Sequence, residues 1–115
     1  MEPRPAATVI VAREGVEVLV ERRTSASRFA PGFVVFPGGA VGEGDMVSSD
    51  PARACAVREL REETGLALEP DGLLEIARWV APAFLEVRFD ARFFAAAAPS
   101  DTDPEPDGVE IAEAW

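Results

Sequence analysis

Residues 52–64 contain no glycine, no proline and few β-branched side chains, a composition that favours a helix over the whole segment. Asp50 stands before this segment as an N-cap, and Pro51 occupies the first helical position, where its missing N–H costs nothing. Gly65 follows the segment and can adopt the left-handed conformation that commonly ends a helix. These signals predict an α-helix that begins after Asp50 and ends at Gly65.

Three glutamates lie on one face of this predicted helix. Because a helix turns by about 100° per residue, Glu59, Glu62 and Glu63 fall within one arc of roughly 100°. Like charges at this spacing repel each other by roughly 0.2–0.5 kcal/mol per exposed pair, and most acidic stripes of this kind are solvated surface. Hard divalent cations such as Mg²⁺ prefer clustered carboxylate oxygens and would relieve the repulsion, so we favour a metal site.

The segment 58–66 also carries a resemblance to a known family. Its sequence, R-E-L-R-E-E-T-G-L, matches every specified position in the second half of the Nudix hydrolase signature, G-x5-E-x7-R-E-U-x-E-E-x-G-U, where U is aliphatic. The first half departs from the pattern, since five residues after Gly39 are followed by Asp45, where a glutamate is expected. Twelve residues, instead of seven, separate Asp45 from Arg58, which indicates an insertion of about five residues near 46–50. The chain is identified by these residues as a member of the Nudix family.

The resemblance implies an α/β fold in which a mixed sheet lies between the signature helix and a second, C-terminal helix. We therefore expect a single Nudix domain over residues 1–115. The end of the sequence does not offer the second helix, because residues 99–108 are acidic and proline-rich and residues 109–115 resemble a strand. We expect an α/β/α sandwich that lacks the C-terminal helix. Either the C-terminus is truncated or a second subunit of a homodimer covers the sheet.

The remaining elements are predicted as strands. A β-hairpin is predicted from Ala6–Ala12 and Val16–Arg22, with a turn around Gly15. Three further strands are predicted at Phe33–Phe36, Leu73–Val80 and Val87–Ala98. The last of these alternates between an apolar face formed by Val87, Phe89, Ala91, Phe93 and Ala95 and a polar face formed by Arg88, Asp90 and Arg92. The alternation predicts that the apolar set is buried.

The resemblance also implies a chemistry, in which water attacks phosphorus and cleaves a diphosphate linked to another moiety with the help of Mg²⁺ or Mn²⁺. By match to the signature, Glu59, Glu62 and Glu63 are the expected metal ligands, and Asp45 is a further candidate ligand. Arg58 completes the expected catalytic set, where it orients Glu62 four residues along the helix.

The residue motif does not specify the general base, and the role of the two glycines before the helix is inferred from their position. Since the chain has no histidine, the attacking water must lose its proton to a carboxylate or to a metal-bound hydroxide. The carboxylate candidates for this general base are Glu59, Glu63 and the downstream Glu110. Gly38 and Gly39, at the end of the predicted Phe33–Phe36 strand, are expected to shape a loop that lets metal and phosphate approach the backbone.

A second stretch bears on the substrate. Residues 23–39 resemble the additional motif of the coenzyme A diphosphatase branch, R-[S/A]-x3-R-x3-G-x3-F-P-G-G. Arg23, Arg28 and Gly32 are in register with it, while Thr24 replaces the expected Ser or Ala. Basic side chains there would hold the 3′-phosphate of coenzyme A. Alternatively, both arginines are ordinary surface charges. The substrate is then ADP-ribose, another nucleoside diphosphate derivative or a damaged nucleotide. A further alternative is that the domain is a catalytically silent binding module.

Composition excludes some partners and compartments. A net charge of −10 repels a nucleic-acid backbone, so we expect a small-molecule diphosphate as substrate and no nucleic-acid partner. The single cysteine, Cys55, excludes an internal disulfide and, in mid-helix, is expected to be a small buried residue. No signal pattern and no apolar run of about 18 residues is present, so we expect a cytoplasmic protein without a membrane partner.

Overall fold

The structure, a computed structural model, describes residues 3–13, 17–25, 32, 34–80, 89–98, 104–106 and 111–115. Its α-helix, α1, spans Pro51–Thr64. Its strands are β1 (Arg4–Arg13), β2 (Glu17–Val18), β3 (Glu21–Arg23), β4 (Val34–Val35), β5 (Gly38–Ala40), β6 (Leu74–Val80), β7 (Phe89–Ala97) and β8 (Ile111–Ala114). Short 3₁₀ turns cover Glu43–Val47 and Pro70–Gly72.

Helix α1 has the bounds and caps that the sequence predicts. The side chain of Asp50 accepts a hydrogen bond from the backbone N–H of Arg53 at 3.3 Å, which satisfies one of the free donors of the first turn. Gly65 adopts a φ of 78° and donates its N–H to the carbonyl of Arg61 at 2.9 Å. A left-handed residue at this position strains any side chain with a Cβ, so the helix ends here.

The larger sheet is mixed, as expected for the family. Among the described strands its order is β2-β1-β7-β6, and β5 shares with β2 the edge of β1 that faces away from β7. Strands β1 and β7 run parallel, whereas the other pairs are antiparallel. The predicted hairpin is confirmed by the pairing of Ala12 with Val18 and of Arg13 with Glu17. Its turn, residues 14–16, lies outside the described residues.

The second predicted strand of the hairpin serves two sheets instead of one. After β2, the N–H of Leu19 still bonds to the carbonyl of Val11 in β1, at 2.9 Å. The next residue, Val20, bonds instead to the carbonyl of Trp115 at 2.9 Å. From there β3 continues into a smaller sheet with the order β4-β3-β8. The chain thus passes from one sheet to the other at Leu19 and Val20, and this carries Glu21 into the interior.

The core lies between α1 and one face of the larger sheet. From the sheet side it is built by fully buried residues of β1 and β7: Ala7, Val9, Val11 and Phe94. From the helix side it is built by Ala52, Cys55, Ala56 and Leu60, which recur at intervals of three and four residues. This packing holds the acidic face of α1 at the rim of the sheet.

The predicted buried face of β7 is wrong for most of its members. Of the apolar set, Ala91 is buried, Phe89, Phe93 and Ala95 are only half-buried, and Val87 lies outside the described residues. Phe94 is fully buried although it shares the parity of Asp90 and Arg92, which were predicted to be on the polar face. The reason is that β7 is an interior strand whose Phe94 face packs on α1. Arg53 and Arg92 place their guanidinium groups 5.1 and 5.5 Å from the centre of the Phe94 ring, so these cations cover apolar surface instead of facing solvent.

On the face of the larger sheet that points away from α1, edge strand β6 exposes large apolar side chains, and this part is the open face. Leu74 pairs with Ala95 and Trp79 with Ala91, and the two large side chains are 68% and 56% exposed. Within the described ranges α1 is the only α-helix, as expected for a sandwich without its second helix. It is too short to cross a membrane. A second subunit on this open face stays a prediction.

Candidate active site

Glu63 is the most deeply buried acid of helix α1. Its residue is 1% exposed, and its Oε2 accepts a hydrogen bond from the backbone N–H of Gly38 at 3.1 Å. Gly38 belongs to β5 and pairs with Thr8 of β1, so this bond ties the helix to the edge of the sheet. Gly38 and Gly39 were predicted to lie in a loop, but they form part of strand β5. This Gly-Gly strand and the acidic helix are 25 residues apart at Gly38 and Glu63, and they meet at one site.

The two glycines of β5 are required for different reasons. A Cβ on Gly39 would lie 2.6–2.9 Å from the three atoms of the Glu59 carboxyl group. A Cβ on Gly38 would lie 2.4 Å from the carbonyl oxygen of Ala7, which is backbone of β1. Contacts this short do not occur in native structures, so Gly39 makes room for the Glu59 carboxyl group whereas Gly38 permits the strand pairing.

Arg58 binds the other acids of the site together. Its Nε donates a hydrogen bond to Asp45 Oδ1 at 3.0 Å and its Nη2 donates one to Asp45 Oδ2 at 2.9 Å, which makes a bidentate ion pair. Its Nη1 reaches Glu59 at 2.9 Å and Glu62 at 3.1 Å. The expected i, i+4 pair with Glu62 is thus present. The hydrogen bond to Asp45 raises the pKa of Arg58 above its ordinary value, so this side chain is a permanent cation.

Asp45 is engaged by the protein on both oxygens. It is 4% exposed and lies in the 3₁₀ turn Glu43–Val47, just before the predicted insertion near residues 46–50. Besides the two bonds from Arg58, its Oδ2 accepts the backbone N–H of Gly42 at 2.8 Å. The hydrogen bond from Arg58 holds the pKa of Asp45 below its usual value. These contacts favour a role in holding Arg58, while metal binding by Asp45 stays a prediction.

We expect Asp45→Ala to reduce hydrolysis less than Glu63→Gln does. The change frees Arg58 from its strongest partner but leaves Glu59 and Glu62 to hold it. It should also lower the free energy of unfolding by about 1–3 kcal/mol, because it removes charge-assisted hydrogen bonds to a buried group. Turnover at saturating Mg²⁺ and thermal unfolding of the same samples measure the two effects. A loss of turnover as large as that of Glu63→Gln would instead assign Asp45 to the coordination of the metal.

One buried acid of the site was missed by the analysis of the sequence. Glu21 of β3 is 0% exposed, and its carboxyl group lies against that of Glu63. A signal was available, because Glu21 follows the buried Leu19 by two residues and an extended chain points both side chains to the same side. The predicted strand Val16–Arg22 includes both residues, but its alternation is only partial, so it did not identify Glu21 as buried.

The electrostatics of Glu63 follow from this neighbourhood. Burial is the largest of the effects that raise the pKa of Glu63, and the negative charges of Glu21 and Glu59 raise it further. The N–H of Gly38 acts in the opposite direction but is outweighed. Its second oxygen, Oε1, is buried and has no hydrogen-bond partner among the described residues. An ionised Glu63 therefore lacks compensation on one oxygen.

Cys55 does not belong to the chemistry of the site. It is fully buried in the core, and its thiol lies 3.4 Å from the carbonyl of Ala40. Burial, with the charges of Asp45 and Glu59, raises the pKa of the Cys55 thiol to about 12, so almost none is thiolate at neutral pH. The expectation of a small buried residue at this position is confirmed.

The motif of residues 23–39 is only partly within the described residues. The carbonyl of Arg23 accepts the N–H of Gly32 at 3.1 Å, and Gly32 has a φ of 76°, so these residues close the loop between β3 and β4. The side chain of Arg23 is half-buried. The motif glycine thus has a structural reason. Arg28, and the candidate base Glu110, lie outside the described residues.

The comparison with protein families agrees with this geometry. The NUDIX domain family matches residues 2–115, which is nearly the whole chain. The chain belongs to the Nudix family. In solved structures, a Nudix hydrolase from Alicyclobacillus acidocaldarius superposes with a TM-score of 0.85 at 31% identity, over 99% of this chain and 78% of that one.

Curated relatives are also Nudix proteins. Nudix hydrolase 7 of Caenorhabditis elegans is 40% identical over 70 residues, which are 60% of this chain and 24% of that protein. The NAD-capped RNA hydrolase NudC of Stutzerimonas stutzeri (strain A1501) is 32% identical over 108 residues, 94% of this chain and 34% of that protein. The Nudix chain described here therefore spans about a quarter to a third of the length of these two relatives.

Nudix hydrolases use divalent metal ions, and the residues of this site fit such an ion. As they stand, no three Asp, Glu or Cys side chains in the described part of the chain are close enough together to hold one. The donors are nevertheless carboxylates, which suit Mg²⁺ and Mn²⁺. The uncompensated Oε1 of Glu63 favours a bound cation.

Proposed function

We propose that this Nudix domain is a divalent-metal-dependent hydrolase of a diphosphate bond in a nucleotide derivative, with coenzyme A or an acyl-CoA as the leading substrate. The observation that carries the proposal is the contact between the signature helix and the Gly-Gly strand. There Glu63 accepts the N–H of Gly38, and the Glu59 carboxyl group fills the space above Gly39. A helix whose acids were only solvated surface would not bury one of them in this way.

The acids of the helix would hold the metal through Glu59, Glu62 and Glu63. Glu62 is 57% exposed at its side chain, whereas Glu59 is only 13% exposed, so the set extends from the core to the solvent, where a substrate approaches. When bound, divalent ions polarise the phosphoryl group and lower the pKa of the attacking water. Phosphates and these carboxylates repel each other, so the substrate binds only when that charge is neutralised.

The remaining residues position these acids and accept the proton. Arg58 fixes the directions of Glu59 and Glu62 through its two bonds from Nη1. Since no histidine is present, a carboxylate of the site takes the proton of the attacking water. Glu59 and Glu63 are the candidates on the helix, and Glu110 is the candidate downstream.

The preference for coenzyme A is supported by the motif of residues 23–39. Coenzyme A carries a 3′-phosphate in addition to its diphosphate, and the motif supplies two arginines, Arg23 and Arg28, just before the Gly-Gly strand. Arginine binds phosphate through charge-assisted, bidentate hydrogen bonds, which suits recognition of the 3′-phosphate. The motif is the observation that separates coenzyme A from other diphosphates.

A second candidate substrate is ADP-ribose or another nucleoside diphosphate derivative. It is favoured by the relative named as an NAD-capped RNA hydrolase, because NAD also contains a diphosphate that joins a nucleoside to another group. A silent binding module, the remaining alternative, is disfavoured because all three acids and Arg58 of the signature are present.

A substrate panel tests the proposal. Coenzyme A, dephospho-coenzyme A, ADP-ribose and NAD are incubated with the protein and Mg²⁺ or Mn²⁺, and the products are identified by mass. We expect coenzyme A to be split into 3′,5′-ADP and 4′-phosphopantetheine, and dephospho-coenzyme A to react more slowly. A clear preference for ADP-ribose or NAD would support the second candidate. Binding of metal without turnover of any compound would support the silent module.

Replacement of an arginine of the motif tests the role of the 3′-phosphate. A charge-assisted hydrogen bond contributes about 1.5–3 kcal/mol, so Arg28→Ala should narrow the preference for coenzyme A over dephospho-coenzyme A by roughly tenfold or more. Arg13→Ala is the matched control, since Arg13 is an exposed arginine of β1 that pairs with Glu17. Equal losses on both substrates in Arg28→Ala would mean a disturbed loop and contradict phosphate recognition.

A further inference from the structure

Glu21 is a fully buried acid, and burial of a carboxylate destabilises a fold unless another group compensates its charge. It is 0% exposed in the short strand β3, where it is paired with Val35 on one side and Ala114 on the other. Glu63 approaches it from helix α1 and is 1% exposed. Two carboxyl groups that are buried against each other, from two different elements, destabilise the fold when both are ionised. A hydrophobic residue at either position would stabilise the fold more.

The hydrogen bonding of the two carboxyl oxygens of Glu63 indicates which group the Glu21–Glu63 pair can bind. Its Oε2 is satisfied by the N–H of Gly38, whereas its Oε1 is buried without a hydrogen-bond partner among the described residues. The groups that face Glu63 electrostatically are mainly acids, Glu21 and Glu59. Arg58 directs its ion pairs to Asp45, Glu59 and Glu62. A hydrogen bond between the carboxyl groups of Glu21 and Glu63 needs a proton on one of them, and a divalent cation can replace that proton between the same two groups.

We propose that Glu21 supplies a carboxylate to the divalent-metal site, from the sheet side, and binds the ion together with Glu63. The inference rests on the proposed function, because it assumes that the signature acids bind Mg²⁺ or Mn²⁺. It extends the site beyond the helix: the three glutamates of α1 approach from one element, and Glu21 comes from a strand of the smaller sheet. Such ions bind about six oxygen atoms, which carboxylates and water molecules both supply, so a further carboxylate can be accommodated.

The test measures binding of the metal to the full chain without any substrate. Mn²⁺ is titrated into the protein, and the free ion is followed by its electron paramagnetic resonance signal, with Mg²⁺ as competitor. We expect Glu21→Gln to weaken the affinity for Mn²⁺ by tenfold or more, as Glu63→Gln should. Glu113→Gln is the matched control, because Glu113 lies on the adjacent strand β8 with an exposed carboxylate paired to Arg22, and its affinity should change less than twofold.

Thermal unfolding in the absence of metal separates loss of binding from loss of structure. Glu21→Gln should unfold at the same temperature as the wild type or higher, since it removes a buried charge and keeps the shape of the side chain. Added Mn²⁺ should raise the unfolding temperature of the wild type clearly more than that of Glu21→Gln. If Glu21→Gln does not fold, Glu21→Asp keeps the charge on a shorter side chain and should bind Mn²⁺ more weakly than the wild type.

The outcomes distinguish the two levels of the proposal. Mn²⁺ affinity equal to that of the wild type, in Glu21→Gln or in Glu21→Asp, would overturn the role of Glu21 and leave the proposed function intact. A wild type that binds no Mn²⁺ at millimolar concentration would overturn the proposed function and this inference with it. A lower unfolding temperature of folded Glu21→Gln without metal, with unchanged Mn²⁺ affinity, would show that Glu21 has a structural role instead.

Discussion

Glu63→Gln is expected to reduce the rate of diphosphate hydrolysis on the order of 10³-fold at saturating Mg²⁺. The substitution keeps the shape of the side chain and an oxygen that can accept the N–H of Gly38, but it removes the charge that would bind the metal. Glu62→Gln is expected to have a comparable effect, because it removes another acid of the stripe. Steady-state turnover of the best substrate in the panel, measured over a range of Mg²⁺ concentrations, tests both.

The fold should survive these changes. Burial and the charges of Glu21 and Glu59 raise the pKa of Glu63, so a neutral amide at this position should leave the metal-free protein at least as stable as the wild type. Glu69→Gln is the matched control, since it removes one charge from an exposed glutamate just beyond the helix. Turnover close to that of the wild type in both Glu62→Gln and Glu63→Gln would contradict the assignment of the metal site.

The adjacent variants Gly38→Ala and Gly39→Ala are expected to fail in opposite ways. Gly38→Ala places a methyl group 2.4 Å from the backbone oxygen of Ala7, which cannot move without parting β5 from β1, and should cost at least about 2 kcal/mol of folding free energy. Gly39→Ala meets only the end of the flexible Glu59 side chain at 2.6–2.9 Å. It should change stability by less than about 1 kcal/mol but lower turnover roughly 10²-fold, because the Glu59 carboxyl group is displaced.

Denaturant unfolding and turnover of the two variants, measured side by side, test this difference. Each variant is the control for the other, since both add one methyl group to neighbouring residues of the same strand. Full activity in a stable Gly39→Ala protein would show that the position of the Glu59 carboxyl group does not matter for hydrolysis. Unchanged stability in Gly38→Ala would contradict the close pairing of β5 with β1.

Much of the site could be predicted because its signals are local. The caps of α1, Asp50 and Gly65, act within one turn of the helix, so the segment itself determines where the helix begins and ends. The spacing of Glu59, Glu62 and Glu63 places them on one stripe of any α-helix, whatever the rest of the chain does. The pair between Arg58 and Glu62 follows from the same spacing.

What the sequence by itself determined was therefore the helix, its acidic stripe, most of the strands and the family. Only the tertiary structure decided that Glu63 is buried, that Asp45 forms an ion pair with Arg58, and that Phe94 faces the helix. It also decided that Glu21 joins the site, because β3 leaves the larger sheet at Leu19 and Val20. These features depend on contacts between residues far apart in the chain, and burial and pKa are properties of such contacts, which no spacing within one element encodes.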